Sequence, residues 1–195
     1  MADMNSRNII FWALLGGLAP ALFWLWFWLK QDSKNPEPKR LIIAAFIAGA
    51  IAVPIAFFLE KFAVSLLGTG TFIIIVWATI EELLKYGGAY IVAFRGVCLD
   101  KSRCLDEPID PVIYMITVAL GFAAIENGLF LLTPLGEGNI VSGLLTGNLR
   151  FIGAMLLHVA ASAIIGVSIG LSFYKNDTLK RLFLFLGITG AVICM

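Results

Sequence analysis

The chain has 195 residues, of which 60% are hydrophobic and only 14% are charged, and its mean hydropathy is +0.94. A chain this apolar cannot bury its hydrophobic surface in one water-soluble core, so we expect the lipid bilayer to be its solvent. The formal net charge of +1 provides no field of one sign and gives no support for a nucleic-acid partner.

Five apolar stretches are long enough to cross a bilayer as helices, which takes about 20 residues. Because backbone polar groups inside a membrane must be hydrogen-bonded internally, each stretch is predicted to be α-helical. A sixth run, 182–195, is too short for a full crossing; it indicates either a half-buried helix or a truncated chain. We therefore predict an all-α, polytopic transmembrane helix bundle, with residues 1–195 as a single transmembrane domain. The five stretches are 8–29, 41–59, 71–94, 111–133 and 150–174.

Basic residues predict the orientation, because Lys and Arg stay preferentially in the cytoplasm. The connections after the first, third and fifth spans are rich in Lys and Arg, whereas the opposite side has only Arg7, Lys61 and Arg150. We therefore expect a multi-pass protein of the cell membrane with an extracytoplasmic N-terminus and cytoplasmic basic loops. Those loops contain Lys30, Lys34, Lys39, Arg40, Arg95, Lys101, Arg103, Lys175, Lys180 and Arg181.

Five titratable side chains fall inside the predicted spans. Each costs roughly 2.5–3.5 kcal/mol at a helix centre on the insertion scale for Asp, Lys and Arg, so such residues must face the bundle interior and usually mark a functional site. Glu81 and Lys85 lie one turn apart on one helix face and can form an ion pair. One of the adjacent carboxylates is then free for chemistry. The five are Glu81, Glu82 and Lys85 in the third span, Glu126 in the fourth and His158 in the fifth.

The predicted depth of these residues indicates one shared site. With the orientation above, Glu81, Glu126 and His158 all lie roughly 10–15 Å beneath the outer surface at 1.5 Å per residue. Three different spans therefore place titratable groups at one level, nearer the extracytoplasmic face.

Several neighbouring residues have simpler interpretations. Asn127 is expected to form a helix–helix hydrogen bond, and Ser162, one turn after His158, is as easily explained by a bond to its own backbone. Arg150 is expected to be an interfacial anchor. Small residues, among them Gly87 and the pair in 166–170, predict closely packed helices.

These residues resemble the motifs of the PrsW family of membrane proteases. The resemblance covers about residues 71–174, which we take as the protease core. It implies cleavage of a membrane-anchored protein, an anti-sigma factor, from its extracytoplasmic side, as the first (site-1) cut of a signalling cascade. The matching elements are Glu81 to Lys85 (EExxK), Phe122 to Asn127 (FxxxEN), and His158 after Arg150.

The chain departs from the wider superfamily of CAAX proteases and bacteriocin-processing enzymes that the PrsW family is similar to. In that superfamily the motifs are EExxxR, FxxxH and HxxxN. Here Lys85 comes one residue early, Glu126 replaces histidine and Ser162 replaces asparagine. These differences argue against prenylated peptides as substrates.

Hydrolysis of a peptide bond needs an activated water, a stabilised oxyanion and an acid for the leaving amine. We expect Glu81 or Glu82 to act as general base, Glu126 to orient the water and His158 to donate to the oxyanion or the leaving nitrogen. Lys85 and Asn127 are expected to support them.

Three other interpretations stay open at this point. The same groups could bind zinc, with Glu82, Glu126 and His158 as ligands and Glu81 as base, although no HExxH motif is present. The expected cofactor is therefore none or zinc. Buried Glu and His residues also form proton relays, so a proton-coupled transporter or channel is the alternative function. A noncatalytic scaffold would use the Glu81–Lys85 pair only to join helices.

Overall fold

The computed structural model describes residues 6–31, 35–96, 105–137, 145 and 149–195. Within these ranges the chain is all-α, as predicted. The basic residues Lys34, Lys101 and Arg103, used above to predict orientation, lie outside them. The α-helices are α1 (Ser6–Gln31), α2 (Lys39–Leu67), α3 (Thr71–Ala89), α4 (Asp110–Gly136), α5 (Met155–Leu171) and α6 (Asp177–Cys194); π-helical segments span Tyr90–Gly96, after α3, and Arg150–Ala154, before α5.

Three of the described helices, α1, α2 and α4, are long and apolar enough to cross a membrane by length and composition. The other two predicted spans differ from this pattern. Helix α3 contains three charged residues, and the fifth span is divided into a π-helical segment and the 17-residue α5. The prediction of five spans is thus supported for three helices, while the crossings of α3 and α5 stay predictions.

Helix α2 continues eight residues beyond its predicted end. The sequence boundary was placed at Leu59 because Glu60 and Lys61 follow it, but charged residues end an apolar run without ending a helix, and both are good helix formers. The helix ends instead at Gly68, which has a φ of 75°. Only glycine adopts this left-handed conformation at little cost.

Helix α6 begins five residues before the predicted apolar run. The side chain of Asn176 caps its start by accepting the backbone N–H of Leu179 at 3.0 Å. Such a cap satisfies one of the donors that the first turn leaves unpaired. The helix extends to Cys194 and its last turn reaches the level of Lys85, as the 4.0 Å contact from the Lys85 Nζ to the Met195 Sδ shows.

Helix α4 is the centre of the bundle. It is apolar on almost every side and is buried between α1, α2, α3 and α5. Its crossing with α2 is very close: a Cβ on Gly121 would overlap the carbonyl oxygen of Phe46, and one on Gly49 would overlap that of Val118. In α5, Gly166 also approaches the start of α4 closely and Gly170 approaches Pro108 just before it, whereas a Cβ on Gly87 of α3 would meet no atom within 4 Å.

Replacing Gly121 with alanine should lower the free energy of unfolding by about 1–3 kcal/mol, because the added methyl group forces α2 and α4 apart. Gly87→Ala is the matched control. Its methyl group would meet no atom within 4 Å, and a glycine-to-alanine change inside a helix stabilises by about 0.5–1 kcal/mol. Thermal unfolding in mild detergent measures both. Equal stability of the two variants would contradict the close crossing.

The outward faces of the helices are strongly apolar. On α2, Phe58, Phe62 and Leu66 are each more than 60% exposed, and similar side chains are exposed on α1 and α3. Monomeric soluble proteins rarely expose continuous apolar surface of this kind. The exposed surface therefore agrees with a bundle surrounded by lipid.

Candidate active site

The titratable residues predicted on three helices meet in the structure. The ring of His158, on α5, joins them. Its Nε2 lies 2.8 Å from the Glu126 Oε2 on α4, and its Nδ1 lies 2.8 Å from the Lys85 Nζ on α3. The predicted convergence of the third, fourth and fifth spans is therefore observed.

Lys85 has an acceptor for each of its three donor hydrogens. Its Nζ lies 2.7 Å from the Glu82 Oε1, 3.2 Å from the Glu81 Oε2 and 2.8 Å from the His158 Nδ1. The predicted Glu81–Lys85 pair is thus present, but Lys85 contacts Glu82 more closely still. Lys85 holds both carboxylates and not one, because the i,i+3 and i,i+4 positions both reach the ammonium. That one of them is available for chemistry stays a prediction.

The contact with Lys85 determines which nitrogen of His158 has the proton. A lysine ammonium can only donate, so the His158 Nδ1 must accept. The neutral ring then has its hydrogen on Nε2 and donates it to the Glu126 Oε2. The structure thus orients the imidazole from both sides.

Arg150 belongs to the cluster, although the sequence indicated only an interfacial anchor. Its guanidinium donates from one terminal nitrogen to the Glu126 Oε2 at 2.9 Å, and from Nε to the Asn127 Oδ1 at 2.6 Å. It also stacks on the Phe130 ring, 3.7 Å from the centroid. The predicted interhelical hydrogen bond of Asn127 is therefore confirmed, with Arg150 as its partner. The wider turn of the π-helical segment begins at Arg150, and such segments are frequent at functional sites.

Phe122, the first residue of the FxxxEN motif, packs beneath the cluster. The Lys85 Nζ lies 4.5 Å from the centroid of its ring, and the His158 ring lies 5.5 Å from it. A cation over an aromatic face is attracted by the ring quadrupole, and the effect increases when water is excluded. Phe122 therefore supports the two side chains that connect α3 to α5.

The two adjacent carboxylates of α3 have different environments. Glu82 is fully buried, and both of its oxygens are engaged: Oε1 by Lys85 and Oε2 by the Ser162 hydroxyl at 2.9 Å. Of the two interpretations left open for Ser162, the structure thus shows a bond to another side chain and not to its own backbone. The side chain of Glu81 is 14% exposed and that of Glu126 is 21% exposed. Water can reach Glu81 and Glu126 but cannot reach Glu82.

The cluster has one more carboxylate than cations. Glu81, Glu82 and Glu126 face Lys85 and Arg150, so the net charge is −1 with His158 neutral. Each of the three carboxylates is paired with Lys85 or Arg150, and the two cations serve three anions.

Glu60 is a further charged residue near the site that the sequence did not indicate. It lies on the extension of α2, close enough to Glu81, Glu126 and Lys85 for electrostatic interaction. Glu60 belongs to none of the three matching elements. Its position one residue beyond a predicted span was the only sequence feature that could have pointed to it. Glu60 adds a further carboxyl group beside the cluster.

The cluster lies nearer the bundle end that contains the turn between α2 and α3. Glu81 is ten residues from the start of α3, Glu126 ten from the end of α4, and His158 eight from Arg150. At 1.5 Å per residue these separations place the three groups about 12–15 Å from that end. This is the end that the basic loops predict to be extracytoplasmic.

Comparison with known proteins identifies the family. Residues 37–194 match the family model described as "PrsW family intramembrane metalloprotease". The chain belongs to the PrsW family. Curated relatives described as "Protease PrsW" include those of Shouchella clausii (28% identical, 89% of this chain and 75% of the relative), Bacillus subtilis (29%, 83% and 67%) and Oceanobacillus iheyensis (30%, 88% and 76%). No solved structure matches.

PrsW membership makes this chain a protease of the membrane. The resemblance noted in the sequence, from EExxK to His158, is confirmed, and the matched region extends well beyond the predicted core of 71–174. The transporter alternative finds no support in relatives that are described as proteases. The three predicted motifs all lie within the matched region, and their catalytic roles stay predictions.

The family description implies a metal, and the donor types around Lys85 fit one. Two carboxylate oxygens and an imidazole nitrogen surround one cation position, and zinc accepts this combination of ligands. In the structure the Lys85 ammonium takes that position. With Lys85 in place, the described residues contain no group of three or more His, Cys, Asp or Glu side chains that could bind a metal ion. Glu126 lies on the other ring nitrogen of His158, away from Glu82.

Proposed function

We propose that this PrsW protein is an endopeptidase that cuts a membrane-anchored protein near its extracytoplasmic side, with α3 and α5 crossing the bilayer beside α1, α2 and α4. The observation behind the proposal is the contact of Glu81, Glu126 and His158 near one end of the bundle. The positive residues at the opposite end support an extracytoplasmic N-terminus and cytoplasmic basic loops. From the motif resemblance we further propose that the substrate is an anti-sigma factor, and that this cut is the first (site-1) cut of a signalling cascade.

Glu81 is the general base in this proposal. Its Oε2 accepts from Lys85 at 3.2 Å, its side chain is partly exposed, and its other oxygen is free to accept a proton from water. Glu82 cannot take this role, since both of its oxygens are engaged and it is fully buried. We therefore assign Glu82 to fixing Lys85 and Ser162 in place.

The reaction needs a water molecule between Glu81 and Glu126. Glu81 removes one proton from this water, whose oxygen bonds to the scissile carbonyl carbon. The resulting oxyanion accepts a hydrogen bond from His158 or Arg150, both of which donate to Glu126 in the resting site. When the C–N bond breaks, the proton on Glu81 passes to the leaving nitrogen, giving an amine and a carboxylic acid.

A metal, when bound, would polarise the water and lower its pKa. The groups that would bind it are Glu81, Glu82 and the His158 Nδ1, the three acceptors that now surround the Lys85 Nζ. In the structure these three acceptors hold the Lys85 ammonium, and the other ring nitrogen of His158 contacts Glu126. This set differs from the one predicted from the sequence, which has Glu126 as a metal ligand in place of Glu81.

Co-expression with candidate single-span membrane proteins tests the proposal. We expect the wild type to release a fragment of one candidate that neither Glu126→Gln nor Glu82→Gln releases. Immunoblots with tags on both ends of the candidate locate the cut relative to its span. If no candidate in a full set, including the anti-sigma factors of the host, gives such a fragment, the proposed activity is wrong.

A further inference from the structure

A second site lies at the opposite end of the bundle from the catalytic cluster. A cavity of about 540 Å³ opens there between the end of α3, the start of α4, the end of α5 and the start of α6. Its volume falls within the range of roughly 300–1,000 Å³ typical of small-molecule sites. None of the catalytic residues lines it.

The walls of the cavity are aromatic and its rim is basic. Tyr86, Tyr90 and Phe94 form one wall, with ring centroids 5.9 and 6.3 Å from that of Tyr86. The π-helical segment that starts at Tyr90 has more residues per turn than an α-helix. It therefore keeps these three residues, spaced four apart, on nearly one face. Phe173 lies on the other side.

Lys180 and Arg181 place two positive charges at the cavity. Both line it, both are exposed, and the described lining residues include no Asp or Glu. Within the described part of the chain neither residue forms an ion pair. Two adjacent cations beside an apolar cavity complement a molecule that has an anionic group next to a hydrocarbon chain.

We propose that this cavity binds one anionic phospholipid, with an acyl chain between the aromatic walls and the phosphate between Lys180 and Arg181. The basic loops predict that this end faces the cytoplasm, where the membrane surface is negatively charged. Tyrosine and other aromatic rings are also enriched at the level of lipid headgroups. The proposal concerns binding only and does not depend on which Glu is the base.

The test is equilibrium binding of fluorescent phosphatidylglycerol to the purified full chain in neutral detergent. We expect one saturable site, and binding of phosphatidylcholine with the same acyl chains should be much weaker. The K180Q/R181Q variant should bind phosphatidylglycerol on the order of thirty-fold more weakly, because two cations near the phosphate are removed. Glycerol phosphate without acyl chains should not compete.

The K39Q/R40Q variant is the matched control. It removes another exposed Lys–Arg pair at the same predicted membrane face, at the start of α2, away from the cavity. We expect its affinity to equal that of the wild type. A second variant, Ala93→Leu, fills the cavity without changing charge and should also weaken binding.

Three outcomes would overturn the proposal. Equal losses in K180Q/R181Q and K39Q/R40Q would indicate attraction to general surface charge. Equal binding of both lipids would mean that the cations are not involved. Competition by glycerol phosphate would indicate a site for free phosphate groups. Cleavage of a candidate substrate is measured separately, so failure of this proposal leaves the protease assignment intact.

Discussion

Glu81→Gln should reduce substrate cleavage by about 10²–10⁴-fold, the usual contribution of a general base. Glutamine keeps the size of the side chain and can still accept a hydrogen bond from Lys85, but it cannot take a proton from water. The fold should therefore persist, and the loss should appear in the cleavage rate at saturating substrate. Fragment yield over time, for a substrate found by co-expression, measures the effect.

Glu137→Gln is the control for this change. Glu137 is exposed at the end of α4, at the same predicted membrane face, and contacts no residue of the cluster. The Glu137→Gln variant should cleave the substrate at the wild-type rate. If Glu81→Gln retained wild-type activity while Glu82→Gln lost it without losing stability, the base would be Glu82 and our assignment would be wrong.

Lys85→Met should have the largest effect on stability. Lys85 is fully buried and neutralises two carboxylates, so its removal leaves charge without a partner in the interior. Breaking a buried pair in this way costs about 3–5 kcal/mol. Thermal unfolding in mild detergent should show a lower Tm.

Two further measurements separate the causes of this loss. The double variant Lys85→Met/Glu82→Gln removes one positive and one negative charge together, and it should recover part of the lost stability. Zinc should also raise the Tm of Lys85→Met more than that of the wild type, because the cation position among Glu81, Glu82 and His158 is then free. Lys61→Met, at an exposed position on α2, should change neither value. A wild-type Tm for Lys85→Met would show that the buried ion pairs contribute little.

The sequence predicted four of the residues that meet at the site. Glu81, Lys85, Glu126 and His158 lie in otherwise apolar helices, where an ionisable side chain must find a partner in the bundle interior. That requirement, combined with helix length, also predicted their common depth. The positions of these residues therefore follow from the physical chemistry of the bilayer and from helical spacing.

Contacts that depend on local helix geometry could not be predicted in the same way. Arg150 occurs at the edge of an apolar run, where an interfacial anchor is the ordinary interpretation, and it contacts Glu126 from the start of a π-helical segment. Ser162 bonds Glu82 instead of its backbone because α5 packs against α3 at that point. Glu60 lies beyond the predicted span because α2 continues as a helix past the end of its apolar run.

The hydrogen bonds of Lys85 to His158 and of Ser162 to Glu82 join α3 to α5 directly. Any movement that parted these two helices to admit a polypeptide would break both bonds and take Lys85 away from the His158 Nδ1. The site would then be unable to catalyse cleavage while α3 and α5 are apart to admit the substrate. A substrate using that route must enter an inactive form and wait for the helices to close around it.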